Sequence, residues 1–341
     1  MHNFILKDEN AVFYECGYSC DNEIYIKSKD DAFFLTDARY FIEAKQNVKN
    51  AIVVQTSRNI IKEARLLLRS LGIKNIYFNP ADFSVLEYQS LSKNLGINFI
   101  AKNEFSKLKR MVKMEQEIET LSVAAKLGAD KFDEFGEFIN KFGLGMSEKE
   151  LNFHAQNIFK DSGNLGLSFE PIVAINANAA KAHAMPTDTK LAEGDLLLVD
   201  AGVKFKRYCS DRTRTVCVQN GFKFDKNQKF RSNKQNDIFS IVKEAQNEAI
   251  KAIKPGILAD EIDKAARRVI AKFGYEKEFF HSTGHGVGLD IHELPSINKT
   301  DKTVLKEGMV FSVEPGIYIE NEFGVRIEDV VVVTENGCEI L

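Results

Sequence analysis

Four carboxylates stand inside apolar, strand-like runs of this chain, and that placement constrains its fold more than any other feature. Asp200 interrupts LLLVDAG, Asp211 opens DRTRTVCV, Glu314 lies within MVFSVEPGIYI and Glu328 within GVRIEDVVVVT. A carboxylate is costly to bury unless something compensates its charge, and two that face one another raise each other's pKa. The fold must therefore bring positive charge to them. Ordinary side-chain partners are one solution: Asp200 caps a turn before Gly202, Asp211 pairs with Arg212 or Arg214, and each Glu is a salt-bridged strand residue. Divalent cations are the other. A hairpin turning near Lys206-Arg207 sets Asp200 beside Asp211, eleven positions on. Strand alternation puts Arg326 and Glu328 on one face and Asp329 on the other, so Arg326 can orient Glu328 or a substrate carboxylate.

Three of the six histidines, His281, His285 and His292, fall within HSTGHGVGLDIHE. Its glycines let backbone approach closely, and the spacing is not the His-Glu-x-x-His of a zinc helix. Four carboxylates with one or more imidazoles suit a pair of divalent ions better than a thiolate-type zinc site. Two ions about 3.5–4 Å apart share a bridging water and lower its pKa, which makes it a nucleophile for amide or ester hydrolysis.

Composition removes other classes. Lys+Arg number 46 and Asp+Glu 49, a net charge of −3, without the basic footprint of a dedicated nucleic-acid binder. No apolar run approaches the roughly 18 residues of a membrane span. The opening MHNFILKDEN turns acidic by Asp8 and Glu9, unlike a secretory signal. Five scattered cysteines without CxxC spacing argue against a disulfide framework or a cysteine zinc site, so a cytoplasmic location is expected.

The 341 residues suit two domains, 1–110 and 111–341, with the charged stretch SKLKRMVKMEQE at the boundary. The first reads as α/β. Strands are expected near 23–27, 32–36, 51–55, 74–78 and 97–102, in a mostly parallel sheet. One helix is expected to be capped by Ser57 and ended by Gly72, and another to lie near 82–95. No glycine-rich phosphate loop is present. In the second, a long helix runs from about Val112 to Phe142, and a capping box at Ser147–Glu150 opens another to about Lys160. Extended segments follow at 169–175, 196–204 and 209–219. The polar stretch 225–237 reads as a surface insertion. Helices at 238–253 and 259–273 precede strands near 309–319 and 324–334. Each half thus has two helices followed by strands that carry two carboxylates, an echo of architecture rather than of literal sequence. His2 and His154 match no motif, and His154 is expected on a solvated helix face.

The ordered set VDAG, CSDRTRT, HSTGHGVGLDIHE, SVEPGIY and GVRIEDVVVVT resembles the pita-bread metallopeptidases, and among them the Xaa-Pro aminopeptidases and Xaa-Pro dipeptidases (prolidases). TDARYFIEA, at 36–44, is similar to the family's creatinase-like amino-terminal domain. The resemblance implies an α/β (α+β) chain, with a creatinase-like domain followed by a pita-bread catalytic domain. It also implies a homodimer and two divalent ions, Mn²⁺ first, with Co²⁺ or Zn²⁺ as alternatives. By the same resemblance Asp200 is a ligand of one metal, Asp211 and Glu328 bridge both, and His285 is the sole imidazole ligand. Glu314 is a ligand that also moves protons. His183, in AKAHAMPTD, lies beside the substrate, His281 and His292 contact the substrate and the developing oxyanion, and Arg326 accompanies the last Glu. Two features depart from the pattern: the turn at 204–208 lacks glycine, and 225–237 is longer and more polar than expected.

The implied activity is release of the N-terminal residue from peptides with proline second, by a metal-bridged hydroxide, as in an Xaa-Pro aminopeptidase. An Xaa-Pro dipeptidase is the alternative. No distinctive insertion suggests a closed pocket beyond proline, which favours the aminopeptidase. A methionine aminopeptidase shares the ligands but not the front domain or Arg326. Metal-free creatinase-like hydrolases and non-catalytic binding proteins of this fold lack the ligand set, and here all five positions are filled.

Overall fold

In the computed structural model, which describes residues 2–341, the strands Glu23–Ser28 and Asp31–Asp37 are joined by a two-residue turn with Lys29 at φ 54°. So short a turn forces antiparallel pairing, because a parallel neighbour needs a crossover of about a dozen residues. The sheet is therefore mixed, not mostly parallel as expected. Its order is Ile52–Thr56, Asp31–Asp37, Glu23–Ser28, Asn3–Leu6, Asn75–Phe78, Asn98–Ala101. Glu23–Ser28 is antiparallel to both neighbours, and the other pairs are parallel. The strand Asn3–Leu6 and the helices Glu9–Cys16 and Phe41–Asn47 are too short to show periodicity in the sequence.

Alternation turns Ile5, Ile24, Ile26 and Leu35 onto one face, against Ala64 and Leu68 of the helix Ile60–Ser70. Phe4, Leu6, Tyr25 and Phe34 face the other way, against Ala11 and Val12. Asn59 rather than Ser57 caps the Ile60–Ser70 helix; the Ser57 hydroxyl donates to Glu63 instead. These elements form one compact unit, Met1–Lys109, and Arg110–Leu341 forms another.

In the second unit the long helix spans Glu115–Phe138 and ends in a π turn, Ile139–Gly143. The capping box of Ser147 and Glu150 opens the helix Glu148–Phe159. An antiparallel sheet follows, ordered Arg212–Cys217, Leu196–Ala201, Ile172–Ile175. The second half repeats the plan with the helices Asn233–Ala252 and Ala259–Lys272. Its sheet is ordered Glu293–Ile297, Gly284–Gly286, Val310–Val313, Asp329–Val333, Cys338–Ile340. Leu197 and Val199 pack on Phe132, Phe135 and Phe159 of the first half. Leu196 and Leu198 pack with Ile238, Val242, Phe311 and Val331 of the second. Alternation gives Asp200 the Leu196–Leu198 side, toward the second half.

Both carboxy-terminal runs break at their carboxylate. The first divides into Val310–Val313 and Gly316–Ile319, interrupted at Glu314-Pro315, where proline lacks the N–H a ladder needs. The second divides into Phe323–Arg326 and Asp329–Val333, which belong to different sheets and leave Ile327 and Glu328 between them. The stretch 225–237 is no mere surface insertion. Phe230 is buried in the core, Gln228 accepts from Cys217 N, and Lys226 reaches the buried Asp329. His154, half-buried among the exposed Glu150, Phe153 and Asn157, also lies against Phe138, ring centroids 4.4 Å apart. No helix among the described residues is long and apolar enough to cross a membrane.

Candidate metal centre

Strand pairing sets Thr213 directly opposite Asp200. Asp211, two residues before Thr213, therefore falls on the same face. Lys206 and Arg207, at φ 46° and 73°, close this hairpin as a two-residue turn without glycine. Bare backbone is needed next to the acidic positions. A Cβ on Gly202 would lie 1.9 Å from Ser210 O, and one on Gly284 would lie 1.8 Å from Ser312 O.

Asp211, His285 and Glu328 converge, with one donor atom from each within 4.8 Å of the others. Glu314 joins them through His285, whose Nε2 is 3.4 Å from Glu314 Oε1 and 3.6 Å from Asp211 Oδ2. The other ring nitrogen, Nδ1, faces Gly286 O at 3.1 Å. The proton of the neutral ring thus belongs on Nδ1, and the Nε2 lone pair points at the carboxylates. Burial, with His292 beside it, pulls the His285 pKa down to about 4. Burial and then the neighbouring carboxylates push Asp211 and Glu328 well above the usual range. Burial, opposed by Arg326 and helped by Asp200, pushes Glu314 up to about 8.

Asp200 has a protein partner. Arg326 Nη2 donates to Asp200 Oδ2 at 2.7 Å, while the buried Oδ1 accepts no hydrogen bond. Alternation alone would have turned Arg326 to Glu328, but the break at Ile327-Glu328 removes that same-face relation. Arg326 reaches Glu328 only through Thr213, whose Oγ1 accepts from Arg326 Nε at 3.0 Å and donates to Glu328 Oε2 at 2.7 Å. Arg326 Nη1 also donates to Tyr318 Oη at 2.9 Å and to Ala182 O at 3.1 Å. Arg214, one of the partners considered for Asp211, is turned to Asp329 Oδ1 at 2.7 Å, with Lys226 and Gln246 on Oδ2. Thr213 and Tyr318 were not singled out in the sequence, and their only signal is position within RTRT and PGIY.

The histidines differ in their surroundings. His281 lies 2.8 Å from Tyr318 Oη through Nε2 and 2.8 Å from Ser282 O through Nδ1, so both nitrogens are bonded within the protein. Burial, and then the Arg326 charge, pulls its pKa down to about 3. His292 is exposed and packs edge-on to His285, centroids 4.3 Å apart. His183 is exposed on the loop that carries Ala182. Asp290 and Glu293, on either side of His292, are held by buried cations. Arg110 Nη2 lies 2.6 Å from Asp290 Oδ2 and 3.3 Å from Glu293 Oε1, and Lys113 Nζ lies 2.9 Å from Glu293 Oε2. In the sequence Arg110 and Lys113 read only as part of a charged boundary.

An unpartnered Asp200 oxygen, three carboxylates raised by burial beside one another, and an imidazole lone pair aimed among them form a donor set that fits hard divalent cations. The profile of metallopeptidase family M24 matches residues 119–335, the span that holds all of these acidic and histidine side chains. The chain belongs to metallopeptidase family M24. This M24 chain is 34% identical over 338 residues to the Xaa-Pro dipeptidase of Pyrococcus furiosus, covering 99% of this chain and 92% of that protein. It matches the structure of an Xaa-Pro dipeptidase from Bacillus anthracis with a TM-score of 0.91 at 32% identity, covering 99% and 92% of the two chains. The X-Pro aminopeptidase from Thermotoga maritima matches with a TM-score of 0.88 at 32% identity, covering 100% and 95%. The resemblance to pita-bread metallopeptidases therefore holds for fold and family, and the M24 chain is a metal-dependent peptidase.

A pH dependence follows. The folded state holds Glu314 at about 8 against an ordinary 4.5, so between those values it keeps a proton that the unfolded chain releases. Stability of the metal-free M24 protein therefore falls as pH rises through that window. Divalent ions displace those protons, so their stabilisation grows over the same window. Chelated protein is expected to melt lower at pH 8 than at pH 5. Added Mn²⁺ should raise the midpoint by about 5 °C or more at pH 8 and by much less at pH 5. A metal-induced shift independent of pH would exclude these carboxylates as ligands.

Proposed function

We propose that this M24 peptidase is an Xaa-Pro dipeptidase, a prolidase, which cleaves the bond before a C-terminal proline. The observation that carries this reading is the convergence of Asp211, His285 and Glu328, within 4.8 Å, in a chain that matches Xaa-Pro dipeptidases over nearly its whole length. The order of the two readings offered by the sequence is thereby reversed. The aminopeptidase becomes second, supported by the likeness to the T. maritima protein. The Met1–Lys109 unit is read as a creatinase-like domain and the working form as a homodimer.

Asp200, Asp211, His285, Glu314 and Glu328 would hold two divalent ions, Mn²⁺ in this reading. When bound, such ions supply Lewis acidity and bring the pKa of water toward neutrality. Glu314, whose Oε1 lies 3.4 Å from His285 Nε2, takes the proton of the attacking water and returns it to the leaving proline nitrogen. His292, exposed beside His285, donates to the substrate carbonyl oxygen, and His183 lines the substrate side. His281 reaches substrate only by giving up its bond to Tyr318. Arg326 fixes the orientation of Asp200 directly and of Glu328 through Thr213. Proline has no N–H and a fixed φ. A site that acts on the carbonyl, and does not grip that N–H, accepts it where other peptidases fail.

With added Mn²⁺, an Xaa-Pro dipeptide is expected to be hydrolysed with kcat/KM at least tenfold above that of an Xaa-Pro-Yaa tripeptide. The reverse ratio assigns the aminopeptidase. Cleavage of neither peptide rejects both readings.

A further inference from the structure

Glu148, the first residue of the helix Glu148–Phe159, is buried and takes four hydrogen bonds. Its Oε1 accepts from Ile175 N at 2.6 Å, and its Oε2 accepts from Asn178 Nδ2 at 2.8 Å, Thr187 N at 2.7 Å and Thr187 Oγ1 at 2.6 Å. Hydrogen bonds to an ionised acceptor are about twice as strong as neutral ones, and the start of a helix favours the negative charge. Ile175 and Thr187 bracket 176–186, the loop that carries His183. Within it, Asn178 Nδ2 also donates to Met185 O at 3.0 Å, and Arg326 Nη1 donates to Ala182 O at 3.1 Å.

The second half uses the same device. Asp263, buried in the helix Ala259–Lys272, accepts from Thr283 Oγ1 at 2.8 Å and from Arg267 Nε at 2.7 Å. Arg267 in turn donates to Phe279 O at 2.8 Å and to His281 O at 2.5 Å. In each half, therefore, a carboxylate on the second helix of the pair ties down the segment that bears a histidine.

We propose that Glu148 is a positioning residue of the peptidase reaction. Through Asn178 and Thr187 it fixes the 176–187 loop so that His183 meets the substrate. The inference rests on the substrate-side role of His183 proposed above.

Glu148→Gln offers only one acceptor oxygen, so its amide NH₂ opposes a backbone or side-chain donor whichever way it turns. That variant is read only where it folds, so Thr187→Val, which keeps the shape and removes the hydroxyl donor to Glu148 together with that hydroxyl's exposed contacts to Thr189, is the main probe. Three measurements decide: dipeptide kinetics with Mn²⁺, tryptic cleavage after the exposed Lys181, and the melting midpoint. Thr187→Val is expected to raise KM and lower kcat/KM at least fivefold, and to speed cleavage after Lys181 at least fivefold, with the midpoint almost unchanged. Thr187→Ser should restore both. In a His183→Ala background the kinetic loss from Thr187→Val should disappear. Unchanged cleavage after Lys181, or kinetic losses that multiply in the His183→Ala background, overturn the inference alone. A His183→Ala variant with unaltered kinetics removes the role proposed for His183 and overturns the inference with it.

Discussion

Asp211→Asn is expected to lose bound metal and peptidase activity together, with kcat/KM falling at least about 1,000-fold, roughly 4 kcal/mol of transition-state stabilisation. Asp211 stands in the middle of the acidic group, within reach of both His285 and Glu328. The amide has the same shape, so the fold is expected to persist. It carries no charge, and it turns an NH₂ toward groups that would otherwise share a cation. The metal-free variant has a further signature. In the parent, burial and the facing carboxylates Glu328, Asp200 and Glu314 hold the Asp211 pKa high. Removing that group relieves repulsion, so metal-free Asp211→Asn should melt at or above the metal-free parent, while gaining little from added Mn²⁺. Bound-metal analysis, melting curves and dipeptide turnover test this together. Full metal content with full turnover would falsify the assignment of Asp211 as a ligand.

Arg326→Met is expected to lower kcat/KM at least about 100-fold, and to cost the metal-free protein about 3–5 kcal/mol, the range for breaking a buried ion pair from one side. Four groups lose their donor at once: Asp200 Oδ2, Thr213 Oγ1, Tyr318 Oη and Ala182 O. The Asp200 carboxylate would then be buried with neither oxygen compensated. Arg326→Lys keeps the charge but not the planar fork that serves several acceptors, so it should recover only part of the loss. Because a divalent ion can take over the compensation of Asp200, added Mn²⁺ should return more stability to Arg326→Met than to the parent. Equal metal-induced shifts in the two proteins would show that Arg326 does not support Asp200.

The sequence made the chemistry easier to read than the path of the backbone. Acidic residues inside apolar runs stand out because burial penalises them, and five ordered motifs led to the right fold and family. The Lys206-Arg207 turn and the Ser147–Glu150 capping box were legible because each depends on a few adjacent residues. The breaks at Glu314-Pro315 and Ile327-Glu328 were not. Apolar residues continue across both, and only tertiary pairing shows where one sheet hands over to another. Arg326 was therefore matched with Glu328 when it grips Asp200. The mixed sheet of the first unit escaped because short strands reveal their composition and not their direction. Glu148 and Glu293 were not singled out, and Arg110 and Lys113 read only as part of a charged boundary, since nothing local separates a solvated charge from one whose partner is distant in the chain. The preference for an aminopeptidase rested on the lack of an insertion, whereas the reading proposed above rests on the likeness to dipeptidases.

The clamp behind His292 limits how this protein could be trimmed. Arg110 opens the second unit, and its buried guanidinium, with the buried Lys113 ammonium, pairs with the half-buried Asp290 and the buried Glu293. An excised peptidase half that began at Glu115, where the first long helix starts, would keep every acidic and imidazole donor and still strand two anions behind the loop that presents them. A minimal active fragment must therefore retain residues 110–114, which lie within the charged stretch that marks the domain boundary in the sequence.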